Sequence, residues 1–424
     1  MYFSGHFLFH LIYKRNVVAK TNCFVPQCML SLYRNAFGGL SRQVWLLALV
    51  MLINRSGGMV VAFLTLYLTQ KLGLSITDAG FVMVAFGVGS ICGTFIGGKL
   101  TDLIGYFPVQ LFSLLLGGIM FLLLSQTQNY FVICTMVFFL STFGEAYRPA
   151  NTASIADFST PETFTRSVSL IRLAINIGWS IGPAIGGFLA SKDYTLLFWA
   201  DGLTNIGAAI LVLLFLRSSR QKRADIQVSN LKTDPIDSAY HDRKYWIFLL
   251  LTTMYAIAFF QLFTIGPVFY KQVCALSEIQ IGYILGLNGL IVALVEMILI
   301  YKIEGKFEKF YLIGFGVSLV VVNYIIFLFS HSYFWLIVGI LFATFSEIFA
   351  MPFMNAFSIE RSKPHNRGQY SALHSMTWSI AQISAPLIGT QTIAHFGYNT
   401  LWYILGSFGV VSSIGFVWLK RLKN

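Results

Sequence analysis

Glu145 and Arg148 lie three positions apart inside the apolar stretch 130–157, which puts them on one helical face. An ionisable side chain at membrane depth is costly unless it meets a partner or a water-filled cavity, so each one in such a stretch is a functional candidate. A proton taken up by Glu145 would release Arg148 to another partner, and that exchange ties protonation to a change of shape. A static pair that fixes packing is the plainer alternative. Arg55 sits deep in the stretch 44–70. It is placed to bind an anionic substrate group or to compensate a carboxylate, although a long side chain also snorkels toward water. Arg172, inside 163–190, is expected to neutralise Asp102, Asp157 or Glu145 as part of a gate. Within their own stretches, 278–302 and 332–358, Glu296 has only the terminal Lys302 and Glu347 has no lysine or arginine. A lone charge in low dielectric is expensive. Both are therefore candidate proton carriers or counter-ions for a cationic substrate, with a network through Ser346 or Thr344 as the plainer reading. The proton-coupling set is thus Glu145, Arg148, Glu296 and Glu347. His374 is as well explained by packing, and Asp201 by a helix-end or loop contact.

A second group of residues shapes space rather than carrying charge. Gly178, Gly182, Pro183, Gly186 and Gly187 give the stretch 163–190 a small face, and small residues let helices approach closely. Pro183 removes one helical hydrogen bond and bends its helix. The expected use is a tight seam that restricts leakage; ordinary close packing is the plainer one. The stretches 44–70 and 245–272 are expected to line a cavity with Asn54, Phe63, Tyr67, Gln261 and Tyr270, helped by Asn288 and Asn176. With 40 phenylalanines in the chain, no single aromatic residue is informative by its type alone.

The elements that must position these residues follow from composition. The 424 residues are 56% hydrophobic and 11% charged, with a mean hydropathy of +0.71. A soluble domain carries about 25% charge, so the chain reads as an all-α polytopic membrane protein. A span needs about 20 apolar residues. Twelve fit: 44–70, 77–101, 107–126, 130–157, 163–190, 195–217, 245–272, 278–302, 308–329, 332–358, 366–394 and 399–419. The net charge of +12 raises the question of nucleic acid. Its distribution answers otherwise: Lys99 and Arg166 flank the joints after spans two and four, lysines and arginines crowd those after spans six, eight and ten and the C-terminal tail, whereas at the alternate joints stand only Lys71, Lys192 and Lys271. That asymmetry places both termini in the cytoplasm. The five cysteines are scattered, and neither a disulfide framework nor a metal-ligand pair is legible.

The chain also repeats. Pro149 returns as Pro352, Asp157 as Glu360, Pro183 as Pro386 and Gly186 as Gly389, each 203 positions on. A repeated membrane half with ionisable residues inside is the signature of a secondary transporter. The expected organisation is a leader with a short amphipathic segment (1–43), a six-helix half (44–217), a charged cytoplasmic linker (218–243) and a second six-helix half (244–424). Met29 begins a stretch that reads like a natural start, so residues 1–28 are expected to come from an overlong start or a loose leader.

Topology and motif together resemble the major facilitator superfamily. Gly98-Lys-Leu-Thr-Asp102-Leu-Ile-Gly105, between spans two and three, is similar to that family's signature loop, without its basic tail. Gly178 to Gly187 resembles the motif of its proton-coupled antiporters, and Arg148 resembles the arginine assigned to proton coupling there. The resemblance covers about 44–419 and is nearest to bacterial twelve-span multidrug and small-solute exporters. Asn54-Arg55 followed by Phe63–Leu68 is also similar to the first helix of proton-coupled peptide transporters, with Asn54 where a glutamate would stand. What the resemblance implies is alternating access by two rocking halves in a bacterial inner membrane, with Asp102, Arg172 and the glycine stripe as gating or structural elements.

Rival classes fit less well. An enzyme would need a nucleophile and base or a metal set, a channel a selectivity loop, and an ATP-driven pump a nucleotide-binding loop; none is legible. The expected function is proton-coupled export of a small organic or amphipathic solute. The alternatives are proton-coupled uptake of a peptide, sugar or other nutrient, and lipid or lysolipid transport. The expected partners are the small-molecule substrate, protons and membrane lipid, with no cofactor, metal or nucleic acid, and a monomer suffices.

Overall fold

The computed structural model describes residues 38–160, 163–216, 239–303, 306–363 and 366–422. Most of the expected leader and linker lies outside them. Hydrocarbon offers no partner for a backbone N–H or C=O, so a spanning chain satisfies them within helices. The described chain is accordingly helical. Arg42–Ser56 and Met59–Leu66, with a π-helical turn at Tyr67–Lys71, make span one. Ile76–Ile104, Tyr106–Leu124, Tyr130–Phe158, Phe164–Lys192 and Thr195–Phe215 are spans two to six. Arg243–Thr264 and Gly266–Gln272 make span seven, and Glu278–Ile303, Lys309–Phe329 and Tyr333–Arg361 are spans eight to ten. A last helix, Arg367–Leu419, breaks at Gly397, whose φ of 81° lies in the left-handed region. The break makes two spans of it, giving twelve among the described residues, all of the length a bilayer requires.

Local chemistry sets the ends. Ser41, Ser75, Asn129 and Asp242 cap their helices by accepting backbone N–H groups one turn on. Gly105, with a φ of 90°, turns span two into span three. Large apolar residues such as Phe95, Leu103, Phe131, Leu214 and Phe329 point outward, where a bilayer would cover them. Two features depart from the sequence reading. Spans one and seven are each broken into two helices, at Gly57–Gly58 and at Ile265, rather than continuous. Span one breaks because two adjacent glycines weaken the helix, and span seven because Pro267 cannot continue the hydrogen-bond ladder.

The repeat is physical. Gly186 packs on span one, against Met59 and Phe63, and Gly389 packs on span seven, against Gln261 and Ile265. Spans five and eight meet along glycine: a Cβ on Gly187 would stand 2.4 Å from the Glu278 carbonyl oxygen, and one on Gly282 would stand 2.5 Å from that of Pro183. Spans two and eleven meet at Gly80 against Thr390 and Gly87 against Ile383, and Ser90 donates to Gln382 at 3.2 Å. Apart from Ser90–Gln382, which is at mid-helix, these contacts lie toward the end bearing the joints with few basic residues. There Lys71 pairs with Asp193, Lys271 with Glu278 at 2.8 Å, and the Tyr194 hydroxyl donates to Glu278 at 2.9 Å. The Asp193 carboxyl is held down, to about 2, chiefly by the hydrogen bond from Lys71 and then by those from Thr195. Toward the basic end, Arg148 and Arg172 keep 64% and 53% of their side-chain surface exposed although both are well inside their helices. The bundle is closed at one end and open to a central cavity from the other.

Candidate functional site

The central cavity has a volume of about 280 Å³. Arg55 of span one, Glu145 of span four and Glu347 of span ten bring opposite charges to its wall. Asn176, Asn288, Thr264 and Gln382 add polar groups; Phe86, Trp179, Phe259, Phe260 and Phe263 form the apolar side. Trp179 and Phe263 face each other with ring centroids 6.5 Å apart, and Phe259 meets Phe263 edge-on at 5.5 Å. A small pocket with a few fixed polar groups and an aromatic wall suits a small organic molecule.

Arg55 immediately precedes the break in span one. Gly178 of span five lies against it so closely that a Cβ there would be 2.6 Å from the Arg55 Cβ. Among the described residues the Arg55 Nε has no hydrogen-bond partner. Glu145 and Arg148 form the expected pair, at 3.0 Å. Glu347 accepts from the Asn288 amide at 3.2 Å, and the same amide donates to Thr344 at 3.0 Å. Among the described residues no lysine or arginine pairs with Glu347.

Glu296 is different from the expectation. It is buried and pairs with Arg172, which reaches it from span five. Asn176 lies one turn from Arg172 and also faces Glu296, at 3.4 Å. The partner expected for Arg172 was Asp102, Asp157 or Glu145. Asp102 is exposed at the end of span two, and Asp157 accepts from the Tyr106 hydroxyl at 2.7 Å. The pairing joins residues 124 positions apart, which no helical spacing reveals.

Several expected lining residues lie elsewhere. Phe63 and Tyr67 are buried, Phe63 against Gly186 and Tyr67 against Phe198 at 4.7 Å. Tyr270 is equally buried beside Phe327. Gln261 donates to the Ala385 carbonyl at 2.6 Å, and Asn54 donates to Asn205 at 2.8 Å. Each is drawn off the cavity by a helix-packing contact; Asn288 lines the cavity as expected. Gly178, Gly182 and Gly186 face span one, whereas Gly187 faces span eight, so the stripe divides between two partners. Pro183 lies within the span-five helix. His374 is buried against Phe248 and accepts from the Trp378 indole at 3.4 Å, a packing role.

Asp201 was expected at a helix end or in a loop contact. It is fully buried within span six and meets a helix end, that of the second helix of span one, rather than a loop. Its carboxylate accepts from the backbone N–H groups of Met59 at 3.2 Å and Val60 at 2.8 Å, the start of the second helix of span one. The signal available was the Gly57-Gly58 pair inside an apolar span, which calls for an outside cap. Trp179, Gln382 and the Phe259–Phe263 face were also missed; nothing in their types set them apart.

Comparison with known proteins agrees with this architecture. The profile of the Major Facilitator Superfamily matches residues 44–382 and 306–424. A Na(+), Li(+), K(+)/H(+) antiporter of Planococcus maritimus is 26% identical over 409 residues, covering 88% of this chain and 94% of its own. Multidrug resistance protein 1 of Bacillus subtilis is 26% identical over 329 residues, covering 76% and 82%. A solved POT family transporter in complex with 5-aminolevulinic acid superposes with a TM-score of 0.77 at 15% identity, covering 92% and 98%, a likeness of fold.

Proposed function

The chain belongs to the Major Facilitator Superfamily, and from that premise we propose that it is a proton-coupled secondary transporter of a small solute that carries both an anionic and a cationic group on a partly apolar body. One observation carries the reading: Arg55, Glu145 and Glu347 line one cavity with an aromatic wall. Arg55 takes the anionic group, since a planar guanidinium fits a carboxylate. Glu347, steadied by Asn288, takes the cationic one. Trp179 and Phe263 cover the apolar body.

Coupling runs through two carboxylates that pair with arginines. Glu145 holds Arg148 within span four, and Glu296 holds Arg172 between spans five and eight. A proton on Glu296 cancels the charge that attracts Arg172, so the two spans lose their tie at the open end. Loss of the proton restores it. Glu347 competes for a proton when no cationic group is bound. The reading places residues 44–217 and 244–424 as two halves joined by 218–243, rocking about the cavity in a bacterial cytoplasmic membrane with both termini inside. One chain holds the whole cavity, so a monomer suffices.

Opposite charges on one wall favour a peptide-like or amino-acid-like nutrient over the export reading; the fold neighbour's ligand, 5-aminolevulinic acid, has that chemistry. Export is the second reading: of a drug-like amphipathic cation, favoured by the name of the multidrug resistance relative and by the aromatic side of the cavity, or of an alkali-metal cation, favoured by the name of the antiporter relative. The test is proton movement in proteoliposomes on addition of dialanine, 5-aminolevulinic acid, tetraphenylphosphonium, sodium or potassium salts, or a lysolipid, with Glu347→Gln and Glu145→Gln alongside. Proton movement driven by the zwitterions and lost in both variants supports the first reading. Movement driven by the amphipathic cation or the metal cations alone moves the assignment to the second. Solute movement without protons removes the coupling.

A further inference from the structure

The helix Met59–Leu66 starts at Gly58, which has no side chain with which to cap it. Its first N–H groups are orphans of the break, and a helix start buried without partners is unfavourable. Asp201 of span six supplies the partner from outside, with one carboxylate oxygen on each of two N–H groups. The same helix ties the other side of the break. Asn205 donates to the Asp201 carbonyl at 2.8 Å and accepts from Asn54 at 2.8 Å, and Asn54 belongs to the helix that ends at Ser56. Thr204 fills the space beside Gly57: a Cβ there would stand 2.1 Å from its hydroxyl oxygen. Span six therefore grips span one immediately before and after the break, at Asn54 and at Met59–Val60. Arg55 lies between those two grips.

We propose that Asp201, with Asn205 and Asn54, is the positioning device for Arg55. The network holds the break at one angle, and that angle sets the guanidinium at the cavity wall, with its Nε buried and without a partner among the described residues. A guanidinium held ready in this way loses little freedom when an anionic group arrives. Asp201 itself does not touch the solute; it is absent from the cavity wall. The inference rests on the substrate-contacting role given above to Arg55, but it is testable without a substrate, so the two readings fail separately.

The experiment is modification of the full-length protein in detergent by phenylglyoxal, an arginine-selective reagent, followed by peptide mass spectrometry. The rate at Arg55 is read against the rate at Arg148, which faces the same open end. In Asp201→Ala the Arg55 rate is expected to change by about threefold or more, the factor that loss of a cap is worth, while the Arg148 rate stays at its native value. Asp201→Asn, which keeps one acceptor oxygen, is expected to fall between. Asn54→Ala and Asn205→Ala cut the link without touching the carboxylate, and they decide the matter if Asp201→Ala does not fold; each is expected to shift Arg55 in the same direction. Native Arg55 rates in the folded variants overturn the proposal. Equal changes at Arg55 and Arg148 overturn it as well, since they report general loosening.

Discussion

Spans one and seven hold corresponding places in the two repeats, and both are broken, but by opposite means. Span one is opened by two glycines, and the exposed N–H groups beyond them are met by a buried carboxylate from span six. Span seven is opened by Pro267, which has no N–H to satisfy, and is pinned to span eleven by the neutral amide of Gln261. The charged break carries Arg55 at the cavity; the neutral break carries Thr264 there. The pair teaches that one architecture provides a bend twice, and that charge has been invested in only one copy. A working charge beside one break and a plain hinge at the other is an asymmetry that experiment can attack from both sides.

The largest effect is expected at the charge itself. Arg55→Gln should lower solute-driven proton movement by about 100-fold, as removal of one buried ionic partner does. Gln261→Leu, at the neutral break, should cost no more than about tenfold. Equal losses in initial-rate assays would erase the distinction. Stability comes next. Asp201→Ala leaves two buried N–H groups unpaired and should destabilise the protein by about 2 kcal/mol or more, read as a fall in unfolding temperature in detergent. Pro267→Ala should move it by less than about 1 kcal/mol. The glycines give a third contrast. Gly57→Ala drives a methyl into Thr204, whereas Gly266→Ala meets its nearest atom at an ordinary 3.5 Å. The first should cost about 1–3 kcal/mol and the second close to nothing, by the same measurement.

The smallest effect lies at the closed end of span one. Lys71 holds the Asp193 carboxyl down to about 2. A depressed carboxylate adds stability above its unfolded value, near 4, and loses it as pH falls through its folded one. The unfolding-temperature difference between the native protein and Asp193→Asn should therefore be flat from pH 7 to 5 and shrink below pH 4. It should amount to a few tenths of a kcal/mol at most, since the pair is half exposed. A difference that grows on acidification would contradict the assigned pairing.

Much of the fold was legible in the sequence because lipid imposes a length and a composition on every span. The twelve stretches, their ends within a few residues, and the pairing of Glu145 with Arg148 all follow from local spacing. The partners of Arg172 and Asp201 do not, because each joins helices that are distant in the chain. The cavity wall was harder still. Every helix has a side toward lipid, a side toward neighbours and, for some, a side toward the cavity, and phenylalanine suits all three. Phe63 and Phe263 read alike in the sequence; only packing puts one in the core and the other on the wall.

The glycine contacts between spans five and eight have an electrical meaning. Backbone packed against backbone leaves no room for a column of water, so the closed end insulates. The open cavity is filled by solution and shares its potential. A transmembrane voltage then falls almost wholly across the short length of the Gly187–Gly282 contact rather than across the whole bilayer. In the proposed alternating-access cycle, any net charge in the cavity would cross that drop when the closed and open ends exchange, work of about 2.3 kcal/mol per elementary charge at 100 mV. On the proposed rocking of the two halves, turnover answers to voltage as well as to concentration, through a seam whose closest contacts are between backbone atoms.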